Sequence, residues 1–402
     1  MLKRLKDDPL AQLEHVDILQ RLGLSYHFEE EINSMLEEIC KNKSKRNSLY
    51  YTALEFRLLQ QHGYWVPQEV FNAFRDERGN FSAGTSDNNI IAMLSLYEAS
   101  FHSIEGEGPL EEARDFTTKF LEEYVKSNRD QNGILSLLVS HALELPLHWR
   151  MPRLETRWFT DVYEKRQEMN LSLLELAKLD FNIVQATHQE DLKHVSRWWS
   201  ETGLGQKLDF ARDRLMENFM WTVGIAFEPQ FGKFRRVSTK VYALITVIDN
   251  IFDVYGTLDE LELFADAVES GQIFVNLIDW KQSGTSADIH QTCKEYFENA
   301  WIKVTAPVML LPAYFFISNP ITKEVLDCLE LEYPSILRHS SMLVRLADDL
   351  GTSSTVTQPS CNSASWKIPR RLYNHRVIPI LHDGSPENRR VMFGSLENRR
   401  VI

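Results

Sequence analysis

The sequence predicts an all-α protein, and three observations carry that expectation. Apolar residues recur at three- and four-residue spacing in segment after segment. Glycine, proline and asparagine punctuate those segments at about the length of one helix. No alternating strand of useful length, and no strand–helix–strand unit, can be placed anywhere in the 402 residues.

The first helix opens at Asp8, whose carboxylate can accept from the free N–H groups of a first turn, with Pro9 in the first helical position and Gly23 past the end. Phe28, Ile32, Met35, Leu36 and Ile39 mark one face of a second helix over residues 26–40. Further helices are expected over 48–62, 67–75, 87–102 and 109–127, separated by Gly63, by Gly79 with Asn80, and by Gly106 and Gly108. Pro146 and Pro152 interrupt the pattern, and a domain join is expected between residues 145 and 152. Beyond it, helices are expected over 156–168, 171–188, 190–201, 210–226 and 234–255, then 258–267, 291–303, 304–317, 322–331 and 335–350. From residue 355 to 402 the chain turns rich in Ser, Asn, Pro and Arg and carries a ten-residue near-repeat, Gly384–Val391 and Gly394–Val401. Two copies are too few for a solenoid, and this tail reads as poorly packed.

Composition narrows the classes of function. With 57 acidic against 44 basic residues and a net charge of −13, a nucleic-acid partner is not expected. Cys40, Cys293, Cys328 and Cys361 are scattered without metal spacing and fit a reducing compartment. The basic N-terminus lacks the apolar core of a signal peptide. The most apolar run, residues 304–317, is too short for a membrane helix and contains Pro307 and Pro312, so no membrane partner is expected either.

Chemistry concentrates between residues 241 and 257. From Tyr242 to Ile248 the chain is almost wholly apolar; then Asp249 and Asp253 appear four residues apart, on one helical face. Gly256 stops the helix, and Thr257 with Glu260 forms a capping box for the next. Such acid pairs are ordinarily solvated helix faces. Here the flanks are Ile248, Ile251, Phe252 and Val254, and the macrodipole at a helix C-terminus opposes negative charge by about 0.3–1 kcal/mol per group. A hard divalent cation held by oxygen ligands resolves both conflicts. A second apolar helix ends similarly, with Asp348 and Thr352 on one face and Arg345 one turn earlier. Arg212-Asp213-Arg214 lies about one helical hairpin upstream of Asp249. Alone, each of these is commonly surface decoration. Together, two acidic clusters and arginines able to grip phosphate oxygens in pairs suit a diphosphate at the mouth of a helical cavity. No nucleotide loop of the Gly-x-x-x-x-Gly-Lys or Gly-x-Gly-x-x-Gly kind is present.

These residues resemble the plant class I terpene synthases, in particular the monoterpene-type branch. The aspartate-rich segment 249–264 carries the resemblance, with 212–214, 227–232, 337–352 and 19–28, and it extends over most of residues 5–354. It implies two α-helical domains, an N-terminal one at 1–147 and a metal-binding catalytic one at 148–354, the latter a class I terpenoid synthase-like bundle. It also implies Mg²⁺ or Mn²⁺, a prenyl diphosphate substrate (geranyl diphosphate in this branch), a monomer or weak homodimer, and a plastid location. Position by position, Asp249, Asp253, Asp348 and Thr352 match metal ligands, and Arg212, Arg214 and Arg345 match the diphosphate-binding arginines. Trp221, Phe219, Tyr314 and Phe315 are candidates for the cavity lining, although aromatics at helical spacing more often form core.

The chain departs from the family pattern in identifiable places. Asn250 stands where the second aspartate of the first motif is usual, and Val356 where a glutamate is usual in the second. Asp253 and Asp348 are 95 residues apart, short by a few helices, with an odd join at 270–280. The closing helices, the front tandem-arginine segment and a transit peptide are expected to be absent; without the last, a cytoplasmic location is the alternative. A catalytically defective, non-enzymatic helical relative is the other reading of the chain.

Overall fold

The computed structural model describes residues 8–42, 48–76, 81, 87–103, 108–128, 133–208, 213–250, 306–317, 323 and 335–352. Every regular element among them is helical, and their one β pairing is an isolated bridge between Arg75 and Phe81. The chain forms two compact units, Met1–Gln185 and Ala186–Ile402.

Local chemistry sets the early helices. Helix α1 (Pro9–Arg21) starts where the Asp8 carboxylate accepts from the Leu10 and Ala11 N–H groups, both at 3.1 Å. It ends at Gly23, which sits at φ +70° while the Leu24 N–H returns to the Leu19 carbonyl at 2.9 Å. A Cβ there would also meet Thr156 Oγ1 at 2.7 Å, so glycine is required twice over. A 3₁₀ turn (Ser25–His27) precedes α2 (Glu29–Asn42), which therefore begins later than the pattern suggested. Ser48 caps α3 (Leu49–Gln61) by accepting from Tyr51 N–H. The expected helix at 67–75 is a 3₁₀ helix, Gln68–Phe74, closed by i→i−3 bonds such as Arg75 N–H to Asn72 O. Helices α4 (Asp87–Ser100), α5 (Gly108–Ser127), α6 (Ile134–Glu144) and α7 (Pro152–Glu164) follow; α6 has no counterpart in the sequence reading.

The proline-bearing link at 145–152 lies inside the first unit. Phe159 and Tyr163 of α7 share one core with Leu13, Val16, Phe56 and Phe71, and so do Leu173, Leu174 and Ala177 at the start of α8. Helix α8 itself runs unbroken from Leu171 to Thr202, where two helices were expected. The sequence at the supposed break, Gln189-Glu190-Asp191-Leu192-Lys193, holds neither glycine nor proline, and its residues are mostly good helix formers.

Buried charges pin α1, α3 and α4 together. Arg21 on α1 donates to both Glu98 oxygens on α4, at 2.7 and 2.6 Å, and to Asp17 at 3.1 Å. Arg57 on α3, 2% exposed at its side chain, reaches Asp17 at 2.6 Å and Glu98 at 3.5 Å. Burial alone would raise the Asp17 carboxyl, but Arg21 and Arg57 outweigh it and hold it well below the usual carboxylate range. Removing one partner of such a set strands a buried charge, at about 3–5 kcal/mol.

His148 is half-buried beside this network. Burial first, and then the Arg57 charge, push its imidazole from 6.5 down to about 4. Its ring fits a neutral tautomer that donates from Nε2 to Glu98 O (3.2 Å) and accepts at Nδ1 from Gln61 Nε2 (3.3 Å). Between pH 6.5 and 4 the unfolded chain therefore takes up a proton at this residue that the folded chain refuses. Stability falls across that window as pH is lowered, by about 3 kcal/mol in all. Urea unfolding of the native chain and of His148→Gln, each at pH 7 and pH 4.5, checks this: the native chain loses more stability. Equal losses would show that the ring is not held neutral.

Candidate metal and diphosphate site

The second unit contains α9 (Leu204–Lys207), α10 (Leu215–Ile225), α11 (Gly232–Asn250), α12 (Ala306–Ile317) and α13 (Ser335–Thr352). Helices α10 and α11 form an antiparallel hairpin, and its closed end is clamped to the later part of α8. Arg235, 0% exposed, donates to Asp191 Oδ2 through Nε and Nη2 at 3.0 and 2.8 Å. Its Nη1 donates to the carbonyls of Ala226 and Glu228, both at 2.8 Å, which are the last carbonyls before the turn into α11. His188, one turn before Asp191 on α8, lies 2.7 Å from the Phe227 carbonyl. A Cβ on Gly232 would fall 3.0 Å from Asp191 Oδ1, so only glycine opens α11 without moving that carboxylate.

Polar pairs then zip the hairpin toward its open end. Thr222 and Thr239 hydroxyls meet at 3.4 Å, and Asn218 Nδ2 donates to Thr246 Oγ1 at 3.3 Å. Leu215, Ala243 and Val247 share an apolar cluster with Trp199. The start of α10 thus lies beside the last two turns of α11. Asp213 and Arg214 and the end of α11 that carries Asp249 occupy the same end of one hairpin.

That arrangement places the expected site residues as follows. Helix α10 begins at Leu215, later than the expected 210, because Asp213 Oδ1 accepts from the Leu215 N–H and Arg214 has non-helical angles (φ −117°, ψ 24°). Arg214 is exposed at that entry; Arg212 lies outside the described residues. Asp249 is the penultimate residue of α11, with its side chain outside the description, and Asp253 lies wholly outside it. Asn250 Nδ2 donates to Thr246 O at 2.6 Å, a bond an ionised aspartate could not make. On α13, Arg345, Asp348 and Thr352 follow at helical spacing along one face; Arg345 is half-buried, and the side chains of the other two are not described. Among the described residues, no three His, Cys, Asp or Glu side chains converge as a metal-binding group.

The aromatic candidates divide. Phe219 is core, edge-on to His188 at 6.4 Å. Trp221 is 56% exposed and meets the Tyr242 ring edge-on at 6.4 Å, on a helix that also exposes Met216, Met220 and Ile225. Phe315 is half-buried, and the Tyr314 side chain is outside the description. The sequence reading missed Asp191, Arg235 and His188 altogether. Nothing local marks an Arg-Arg pair as buried, and its partner lies 44 residues away.

Residues 1–143 match the terpene synthase N-terminal domain, and residues 200–273 and 272–365 match the metal binding domain of the terpene synthase family. The chain belongs to the terpene synthase family. It is 54% identical to the chloroplastic myrcene synthase of Quercus ilex over 398 residues, covering 86% of this chain and 66% of that protein. Identity to the (-)-alpha-terpineol synthase of Vitis vinifera is 51%, with 86% and 66% covered. The chain therefore spans about two thirds of the length of these curated relatives. The alignment with the oak protein is 398 positions long yet takes in 86% of 402 residues, so part of that relative lies opposite gaps. Among solved structures, grey poplar (Populus x canescens) isoprene synthase in complex with three Mg²⁺ ions and dimethylallyl-S-thiolodiphosphate superposes with a TM-score of 0.80 at 36% identity, covering 99% of this chain and 84% of that one. Limonene synthase with 2-fluorolinalyl diphosphate gives 0.79 at 39% identity, covering 87% and 74%. The fold of this terpene synthase chain is accordingly that of the class I terpenoid synthases.

The clamp supplies a stability test. Asp191→Ala strands the buried Arg235 guanidinium and should cost about 3–5 kcal/mol in denaturant unfolding. A loss below about 1 kcal/mol would mean that water, not Asp191, satisfies Arg235.

Proposed function

We propose that this chain is a divalent-metal-dependent terpene synthase that ionises a prenyl diphosphate, specifically geranyl diphosphate, and releases a monoterpene and diphosphate. The observation that carries the reading is the hairpin: the arginine-bearing entry to α10 and the acid-bearing end of α11 lie at one end. The donor set suits a hard cation, being carboxylates of Asp249, Asp253 and Asp348 with the Thr352 hydroxyl, and no thiol or imidazole. In this reading those four hold Mg²⁺ or Mn²⁺, while Arg212, Arg214 and Arg345 hold the diphosphate oxygens. When bound, the metal neutralises charge on the leaving diphosphate.

The carbon–oxygen bond breaks and its electron pair leaves with diphosphate, generating an allylic cation. The arginines stabilise the departing anion as its charge develops. The apolar face of α10, with Trp221 and Met220, shields the cation from water, and the indole face can stabilise it until a proton is lost. The poplar relative held with three Mg²⁺ ions and a thiolodiphosphate, and limonene synthase held with a fluorinated diphosphate, support this chemistry. Several relatives are named chloroplastic, which supports a plastid location for a chain working as a monomer or weak homodimer.

A second reading, a relative that binds metal and diphosphate without turnover, is favoured by Val356, by the 95-residue interval between Asp253 and Asp348, and by the gapped oak alignment. Incubation with geranyl diphosphate and Mg²⁺, followed by analysis of volatiles, separates the two. Monoterpene should form, cease with chelator, and fall about a hundredfold or more in Asp249→Asn. A folded native chain that yields no volatile product contradicts the first reading.

A further inference from the structure

One hydroxyl ties α11 to α12. Tyr242 OH donates to the Met309 carbonyl at 2.8 Å. Met309 sits in the turn before Pro312, which lies inside α12. A proline there offers no N–H to the turn below, and its ring crowds the carbonyls of that turn outward. Tyr242 therefore takes a carbonyl beside a helix interruption, and burial keeps its phenol protonated by pushing it up to about 12. The same ring, 1% exposed, meets the exposed Trp221 edge-on. Seven residues along α11, two turns on the same face, stands Asp249. The intervening Thr246 hydroxyl donates to the Tyr242 carbonyl at 2.9 Å and accepts from Asn218 of α10. One side chain thus links the interrupted turn of α12, the exposed indole of α10 and the helix that carries the acid.

We propose that Tyr242 is a positioning residue that fixes the apolar wall against which the prenyl chain folds, and so sets the ratio of products. This rests on the terpene synthase reading above. Its hydroxyl takes no part in bond making; it holds the α12 turn at one distance from Trp221, and that distance limits which conformers of the hydrocarbon fit.

Tyr242→Phe keeps the ring and removes only the tie. Two measurements on the full chain decide. Amide exchange in the peptide 306–317 should quicken about tenfold in the variant, the equivalent of one lost hydrogen bond, while peptides of α3 and α7 stay unchanged. With geranyl diphosphate and Mg²⁺, the ratio of the two main volatiles should change about twofold or more. Unchanged exchange overturns the tie, whatever the activity. Faster exchange with an unaltered product ratio shows a merely structural bond and overturns the role in specificity. A native chain with no turnover sinks the functional reading and the specificity role with it, while the exchange result still reports on the tie.

Discussion

A guanidinium with no exposed surface must find protein partners for its N–H groups, and Arg235 makes four such bonds, two to Asp191 and two to main-chain carbonyls. That requirement fixes where α10 ends, where α11 begins, and how both meet α8. The Thr222–Thr239 and Asn218–Thr246 pairs then have only one register available. Because α11 is 19 residues long, a shift at its first turn carries through to Asp249 at its other end. Asp249 and the Arg235 clamp therefore sit at opposite ends of one helix.

The two units use buried charge differently. In the first, Asp17, Arg21, Arg57 and Glu98 pair across α1, α3 and α4, and the energy at stake is that of losing any single member. In the second, the described buried ion pair is Arg235 with Asp191, which joins α11 to α8. Asn250 belongs to neither kind: its amide nitrogen satisfies α11's own backbone.

What could be read in the sequence follows from the range of the interactions. The cap at Asp8 and the glycine at position 23 act within a few residues, so the helix they bound was legible. The acids after Ile248 stood out because charge among apolar residues is a local contrast. Contacts across the chain were not legible. The split of α8 at Gln189, the start of α10 at 210, and the regular helix at 67–75 each assumed a local cue that distant packing did not obey. Arg235 carried no local cue at all, and Tyr242 read as the start of one apolar run. The resemblance of segments 212–214 and 249–264 to the family's motifs gave the reaction class. The partners that hold those motifs in place came only from the fold.

The proposed function requires one end of the α10–α11 hairpin to act as a joint seat for metal and diphosphate. Thermal unfolding of the native chain with MgCl₂, with inorganic diphosphate, and with both measures this without requiring turnover. The expected result is a rise in Tm of several degrees with both together, well beyond the sum of either alone, and lost in Asp249→Asn. No joint effect in the native chain, or an equal effect in Asp249→Asn, would contradict it.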